Sequence, residues 1–257
     1  MARQTHLLSS TKNAVGYFRV CGYGAALEPR LRSQQKSPER TALWPALYDE
    51  EVSAVSGFIL AGGKSSRMGS NKSLLVLAGQ TLLARALELV RAITPEVRIV
   101  GEPTTLSSFG SVISDIFPAR GPLGGIHSSL VSSSSDWNLV VAVDLPFLEA
   151  RFLTYLVTQA QTADAVVTLA RIGDRFQPLC AVYHKAFLAP AEAALSAGRN
   201  KIDALFSEIR LRVIDENELT TGGYNRFMFA NLNTPADWEW AQREFPRLHS
   251  GISGHER

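Results

Sequence analysis

The chain has 257 residues, 46% of them hydrophobic, and a formal charge of +2. That suits one large globular domain or two small ones with a sizeable core, and the mild charge excludes a general nucleic-acid binder, which needs a clustered basic surface. Cys21 and Cys180 are the only cysteines, with no C-x-x-C and no His pair at zinc spacing. A disulfide framework and a structural zinc site are therefore excluded, and a soluble protein of the reducing cytoplasm is expected, because no apolar run approaches the ~18 residues of a membrane span.

Residues 1–52 stand apart. Met1 to Leu27 contains Arg3, Lys12 and Arg19 but no acid, and residues 28–51 are charged and contain Gln, Ser and Pro without sustained periodicity. This stretch is expected to lack fixed structure. Its acid-free start loosely resembles an organelle transit peptide, although a plain tail or an upstream start codon accounts for it more simply. The folded domain is expected over 53–245, with 246–257 a tail.

From Val55 onward, short β-rich runs alternate with helical patterns. Strands are predicted at 55–60, 97–100, 111–114, 138–143, 165–170, 179–183 and 211–214, and the run Phe227 to Ala230 is strand-like. The run from Leu139 to Val143 is continuously apolar, as in a strand buried on both faces. Thr81 can cap a helix whose Leu82, Leu83, Ala86, Leu87 and Val90 make one apolar stripe. Further helices are predicted near His127, at 149–160, 186–197 and 202–209, and at 236–245 after the Thr234-Pro235 start signal. Such alternation predicts an α/β fold of three layers, with a mainly parallel, Rossmann-like sheet between helices.

The first predicted strand runs into Gly62-Gly63-Lys64-Ser65-Ser66-Arg67-Met68-Gly69-Ser70-Asn71-Lys72, and between Glu51 and Glu88 there is no Asp or Glu. The loop after the first strand of a parallel sheet is the usual phosphate site, and glycines there let backbone N–H groups approach phosphate oxygens. Cations without an acid nearby in sequence suggest an anionic ligand, with Arg67 and Lys72 as phosphate-binding, catalytic cations and Lys64 a further candidate. A Walker A loop misses by one position, since Gly57 lies one residue too far upstream of Gly63-Lys64-Ser65. A G-x-G-x-x-G fingerprint fails at Lys64 and Arg67.

Asp144 ends the most apolar strand, and Leu145-Pro146 stops that strand and leaves the carboxylate outward. It is the candidate ligand for Mg²⁺, which takes one or two protein carboxylates plus substrate phosphates. Its alternative is a turn or N-cap residue. His127 and His184 lack an accompanying nucleophile or paired carboxylate and are expected to be structural or exposed. Trp238 and Trp240 fall on different faces of the last helix, so at most one is expected in the core.

The pattern L-A-G-G-x-S-x-R-M-G followed by Lys72 resembles the signature loop of the nucleotidyltransferases, and most closely that of the molybdenum cofactor guanylyltransferases, the MobA family. The resemblance continues through Gly121-Pro122-Leu123-Gly124-Gly125, through Asp144-Leu145-Pro146-Phe147 and through Asn231-Leu232-Asn233-Thr234-Pro235. It implies transfer of GMP from GTP to molybdenum-bearing molybdopterin, with Mg²⁺ and release of pyrophosphate. The implied GTP site is Leu60, Ala61, Gly62, Gly63, Lys72, Asp115 and Asp144. On the acceptor side it implies Asn231, Asn233 and Gln177, and it suggests molybdenum-insertion and molybdoenzyme-chaperone proteins as partners.

Gly121, Gly124 and Gly125 are read as a loop near the base or ribose, against an ordinary turn. Thr234-Pro235 is explained equally by an N-cap with Pro at N1. Two positions depart from the family pattern: Asn71 stands where many relatives have Asp, and Gly101-Glu102-Pro103 where an Asn is common. Guanine over cytosine rests on L-A-G-G and G-P-L-x-G. The alternatives are a cytidylyl or sugar-phosphate nucleotidyltransferase on the same fold, or a non-catalytic nucleotide-binding regulator.

Overall fold

The computed structural model describes residues 54–62 and 71–250, with side chains as far as Arg247. Among these, strands β1 (Val55–Leu60), β4 (Val97–Val100), β5 (Val112–Ile113), β6 (Trp137–Ala142), β7 (Val167–Ile172), β8 (Arg175–His184) and β9 (Leu211–Ile214) form one seven-stranded sheet in the order β5-β4-β1-β6-β8-β7-β9. Two short strands, β2 (Val76–Leu77) and β3 (Gln80–Thr81), pair separately as an antiparallel ribbon. Only β8 of the large sheet runs against its neighbours, pairing antiparallel with both β6 and β7.

Side-chain alternation along the strands builds the two cores. Ile59, Leu139 and Val141 face one side, where α1 (Leu82–Arg91), α4 (Ala150–Thr162), α6 (Glu216–Thr221) and α7 (Pro235–Ser250) pack. Phe58, Leu60 and Val140 face the other, against α3 (Pro122–Ser132) and α5 (Leu188–Ser196). The central strands are therefore apolar on both faces, as their continuous runs require.

Helix α1 forms for the reasons read from its sequence. Thr81 Oγ1 accepts the Ala84 N–H at 3.1 Å, and Leu82, Leu83, Ala86, Leu87 and Val90 are its buried residues. Each of the buried leucines and Val90 contributes roughly 1.5–3 kcal/mol relative to exposure, and Ala86 less.

Several expectations are corrected. The strands predicted at 165–170 and 179–183 reach further and join as a hairpin, in which Ile172 pairs with Arg175 across Gly173-Asp174. Gly173 takes φ +55, which a two-residue hairpin turn demands and a glycine adopts without steric cost. The region predicted helical over 202–209 holds only a 3-10 turn at Ile202–Leu205, and the strand-like run Phe227 to Ala230 is a 3-10 turn at Arg226–Phe229, started by Asn225 accepting the Phe227 N–H. A short helix, α2 (Pro103–Leu106), and α6 also form where none was predicted. Trp238 and Trp240 are both half-buried, so neither is a core residue, and Trp240 sits edge-on to Phe147 at 5.1 Å. Among the described residues no helix is long and apolar enough to cross a membrane. The reading of residues 1–52 lies outside the described residues; the last helix runs on to Ser250 rather than stopping at 245, so the expected tail begins as helix and lies outside the described residues only from 251.

Candidate active site

The chain runs outward from β1 to β4 and β5, then returns to β6 on the other side of β1. Parallel sheets bind ligands at such a reversal, beyond the carboxyl ends of the strands. Here those ends are Leu60-Ala61-Gly62 and Ala142-Val143-Asp144, held level by the Leu60–Ala142 register and by the Val143 N–H donating to the Leu60 carbonyl at 3.1 Å.

The amides of Ala61 and Gly62 both donate to the Val100 carbonyl, at 2.9 and 3.0 Å. The Gly62 N–H is thus committed to the sheet edge, where a donor open to phosphate was expected. Gly63, Lys64 and Arg67 lie outside the described residues. The described chain resumes at Asn71, whose Oδ1 accepts the Ser73 N–H at 3.1 Å and caps a 3-10 turn at Lys72–Leu74. Asn71 thus supplies the side-chain oxygen that this cap needs, as an Asp there would. Ser73 Oγ then donates to the buried Ala61 carbonyl at 3.0 Å, tying the turn to the end of β1.

These bonds bring Lys72 to Asp144. Its Nζ donates to Asp144 Oδ2 at 2.9 Å and to Asn233 Oδ1 at 3.0 Å, and the Lys72 and Asp144 side chains are each 16% exposed. The acid absent from the sequence around Lys72 is supplied from 72 positions away, so this cation is not left for a ligand alone. The other carboxylate oxygen, Asp144 Oδ1, is buried and accepts no hydrogen bond among the described residues. Desolvating a carboxylate oxygen without a partner is costly. A cation at Oδ1 would remove that cost.

The Asn233 segment is fixed through three successive amides. Leu232 N–H donates to the Asp144 carbonyl at 3.1 Å, and the N–H groups of Asn233 and Thr234 both donate to Asp237 Oδ2, at 2.9 and 2.8 Å. Asp237 N–H donates in return to Thr234 Oγ1 at 3.1 Å. Hydrogen bonds, first among them that from the Asn233 amide, hold the Asp237 carboxyl below the usual range. Asp237 was not singled out from sequence, yet Thr234 followed three residues later by an acid is the spacing of a capping box. Asn231 is exposed on the same segment. Gln177 lies in β8, three residues before the Val141–Cys180 pair, as Asp144 lies three residues after it.

Asp115 lies two residues beyond β5, rather than closing it. Its Oδ1 is buried without a partner, and burial raises its pKa. The neighbouring glycines are in α3, which starts at Pro122 and not near His127, so Gly124 and Gly125 are helical rather than part of a loop. A Cβ on Gly124 would stand 2.8 Å from the Phe117 carbonyl oxygen. Gly124→Ala is therefore expected to destabilise the fold by about 1–3 kcal/mol, read as a lower midpoint in urea denaturation. His127 is buried edge-on to Phe117, with a ring separation of 5.0 Å and a pKa lowered by burial, and His184 Nδ1 accepts the Ala186 N–H. Both serve structure.

A doubly covered, mainly parallel sheet gathers a lysine, a carboxylate and an asparagine at its strand-order reversal, and the family to which the chain belongs makes it a nucleotidyltransferase. The chain belongs to the MobA-like NTP transferase family, whose family model matches residues 57–213. The molybdenum cofactor guanylyltransferase of Vibrio cholerae is 34% identical over 205 residues, 77% of this chain and 94% of that protein. That of Desulfosudis oleivorans is 33% identical over 195 residues, 74% of this chain and 96% of that protein. Among solved structures, molybdopterin-guanine dinucleotide biosynthesis protein A of Archaeoglobus fulgidus superposes with a TM-score of 0.67 at 25% identity, covering 75% of this chain and 99% of that one.

Proposed function

We propose that this enzyme transfers GMP from GTP to the terminal phosphate of molybdopterin bearing molybdenum, releasing pyrophosphate. The reading is supported above all by the pairing of Lys72 with Asp144 Oδ2 and Asn233, which leaves Asp144 Oδ1 without a hydrogen-bond partner among the described residues at the mouth of the sheet. An oxygen of the acceptor phosphate attacks the α-phosphorus of GTP. A new P–O bond forms as the bond from that phosphorus to the bridging β-phosphate oxygen breaks, and pyrophosphate carries away the electron pair. The attacking oxygen is already anionic, so the chain needs no strong general base.

The described residues suit Mg²⁺ at Asp144. Among them no group of three or more His, Cys, Asp or Glu could hold a metal ion alone, and a hard cation that retains waters and phosphate oxygens needs only one protein carboxylate. When bound, Mg²⁺ would stabilise charge on the phosphate oxygens. Lys72 would place its ammonium beside the triphosphate, with Asp144 and Asn233 fixing its direction. Preorganised charge of this kind costs no rearrangement as the leaving group forms. Arg67 and Gly63 are assigned to the same phosphates, Asp115 to the nucleotide, and Asn231 and Gln177 to the acceptor side.

The test compares pyrophosphate release from GTP, CTP and UTP, each with Mg²⁺ and molybdopterin or a sugar phosphate. GTP with molybdopterin is expected to exceed the other pairs by about 10²-fold or more in kcat/KM, as selection by a base's hydrogen-bonding edge allows. Faster turnover of CTP, or of a sugar phosphate, would overturn the assignment.

A further inference from the structure

Asp237 does more than start a helix. A capping box accounts for two of its bonds: its own N–H to Thr234 Oγ1, and its carboxylate to the Thr234 N–H. It does not account for the third, in which the same Oδ2 accepts the N–H of Asn233, one residue outside the helix cap. That extra bond fixes the backbone of the residue whose side-chain oxygen receives the Lys72 ammonium. The preceding amide, Leu232, is fixed on the Asp144 carbonyl. The Asn233 backbone is therefore clamped on both sides, between the carboxylate strand end and Asp237, and its side chain is left to orient Lys72.

We infer that Asp237 is a positioning residue for the transfer reaction, acting through Asn233 on the Lys72 ammonium, an inference that rests on the GMP-transfer reading above. Among the described residues Lys72 donates to Asp144 Oδ2 and to Asn233 Oδ1. An ammonium on a flexible four-carbon stem keeps one direction only if its acceptors are themselves held. Asp144 lies in the turn two residues beyond β6 rather than ending that strand, and the Val143 amide and Asp144 carbonyl fix it through Leu60 and Leu232. Asn233 sits in a connection between a 3-10 turn and α7, so Asp237 supplies the comparable backbone anchor there. Outer partners of this kind set activity without touching substrate.

Five variants assayed for GMP transfer, one of them the Asn233→Ala/Asp237→Ala double, with thermal melts of the same samples, separate positioning from capping. Asp237→Ala is expected to lower kcat/KM about 10–100-fold, and Asp237→Asn, which keeps an oxygen acceptor, to restore it to within about threefold. Thr234→Ala loses a cap bond but not the hold on Asn233. It is expected to melt a few degrees lower, on the order of the loss in Asp237→Ala, and to keep kcat/KM within about threefold. In an Asn233→Ala background, Asp237→Ala is expected to cause no further drop, because the two residues act in series. Equal losses of turnover in Asp237→Ala and Thr234→Ala, or full additivity with Asn233→Ala, would overturn the inference. Should Asp237→Ala melt below the assay temperature, Asp237→Glu decides. Glu keeps a capping box but displaces the acceptor, so reduced turnover at an unchanged melting temperature supports positioning, and unchanged turnover refutes it. Wild-type protein in the same assay keeps the two readings apart, since its inactivity would sink the GMP-transfer reading rather than this one.

Discussion

Asp144→Asn is expected to reduce GMP transfer by about 10³-fold or more, roughly 4 kcal/mol of transition-state stabilisation, while the protein remains folded. The substitution keeps the shape and one carbonyl oxygen, so Lys72 retains an acceptor near its present Oδ2 partner. What is lost is the negative charge, and with it the anionic Oδ1 that has no hydrogen-bond partner among the described residues. An amide nitrogen there would offer a donor in place of a ligand, and a hard divalent cation would not be held. The fold has little stake in the charge, because Val143 and the Asp144 carbonyl secure the segment through backbone bonds to Leu60 and Leu232. Turnover assays across a magnesium titration, with circular dichroism on the same sample, check both halves. Near-normal turnover would remove Asp144 from the reaction.

Lys72→Met is expected to cost about 10²–10³-fold in kcat/KM, the range found when one preorganised donor to developing charge is removed. Met matches the length and apolar character of the lysine stem, so the deleted element is the ammonium. Its removal leaves Asp144, 16% exposed on its side chain, without the cation it faces at 2.9 Å. An uncompensated charge in partial burial opposes folding, so a loss of about 1–2 kcal/mol in urea denaturation should accompany the kinetic defect, less than for a fully buried broken pair. The two variants are distinguishable. Asp144→Asn should abolish the magnesium dependence of nucleotide binding in calorimetry, whereas Lys72→Met should weaken binding of the nucleotide and leave that dependence in place. The opposite pattern would exchange their roles.

The ends of β1, β4 and β9 were legible to the residue because each is a short apolar or β-branched run bounded by breakers. The α1 stripe was legible because helix period and cap agreed. The β7–β8 hairpin was missed because Gly173-Asp174 was not weighed as a two-residue turn, which left the polar segments beside it outside both strands. Residues 226–229 misled because a short apolar run fits a strand and a 3-10 turn alike, and Asn225, the cap that decides between them, was not considered. In the site, Asp144, Lys72 and Asn233 were each singled out and the fold brings them together. Their mutual contact was invisible, because a charge balance counted along the chain cannot see a partner 72 positions away. Asp237 was overlooked since its Thr-x-x-Asp spacing was read only as far as Thr234-Pro235.

The reach of the Lys72–Asn233 bond, 161 positions, has a consequence for how the enzyme is born. Synthesis proceeds from the amino end, and domains condense as they emerge. A nascent polypeptide with residue 215 just clear of the ribosome already possesses every described strand of the sheet, yet its lysine still lacks the Asn233 acceptor. Catalytic competence would therefore lag behind strand assembly and arrive with the last helix, so that turnover reports the finished molecule rather than its scaffold.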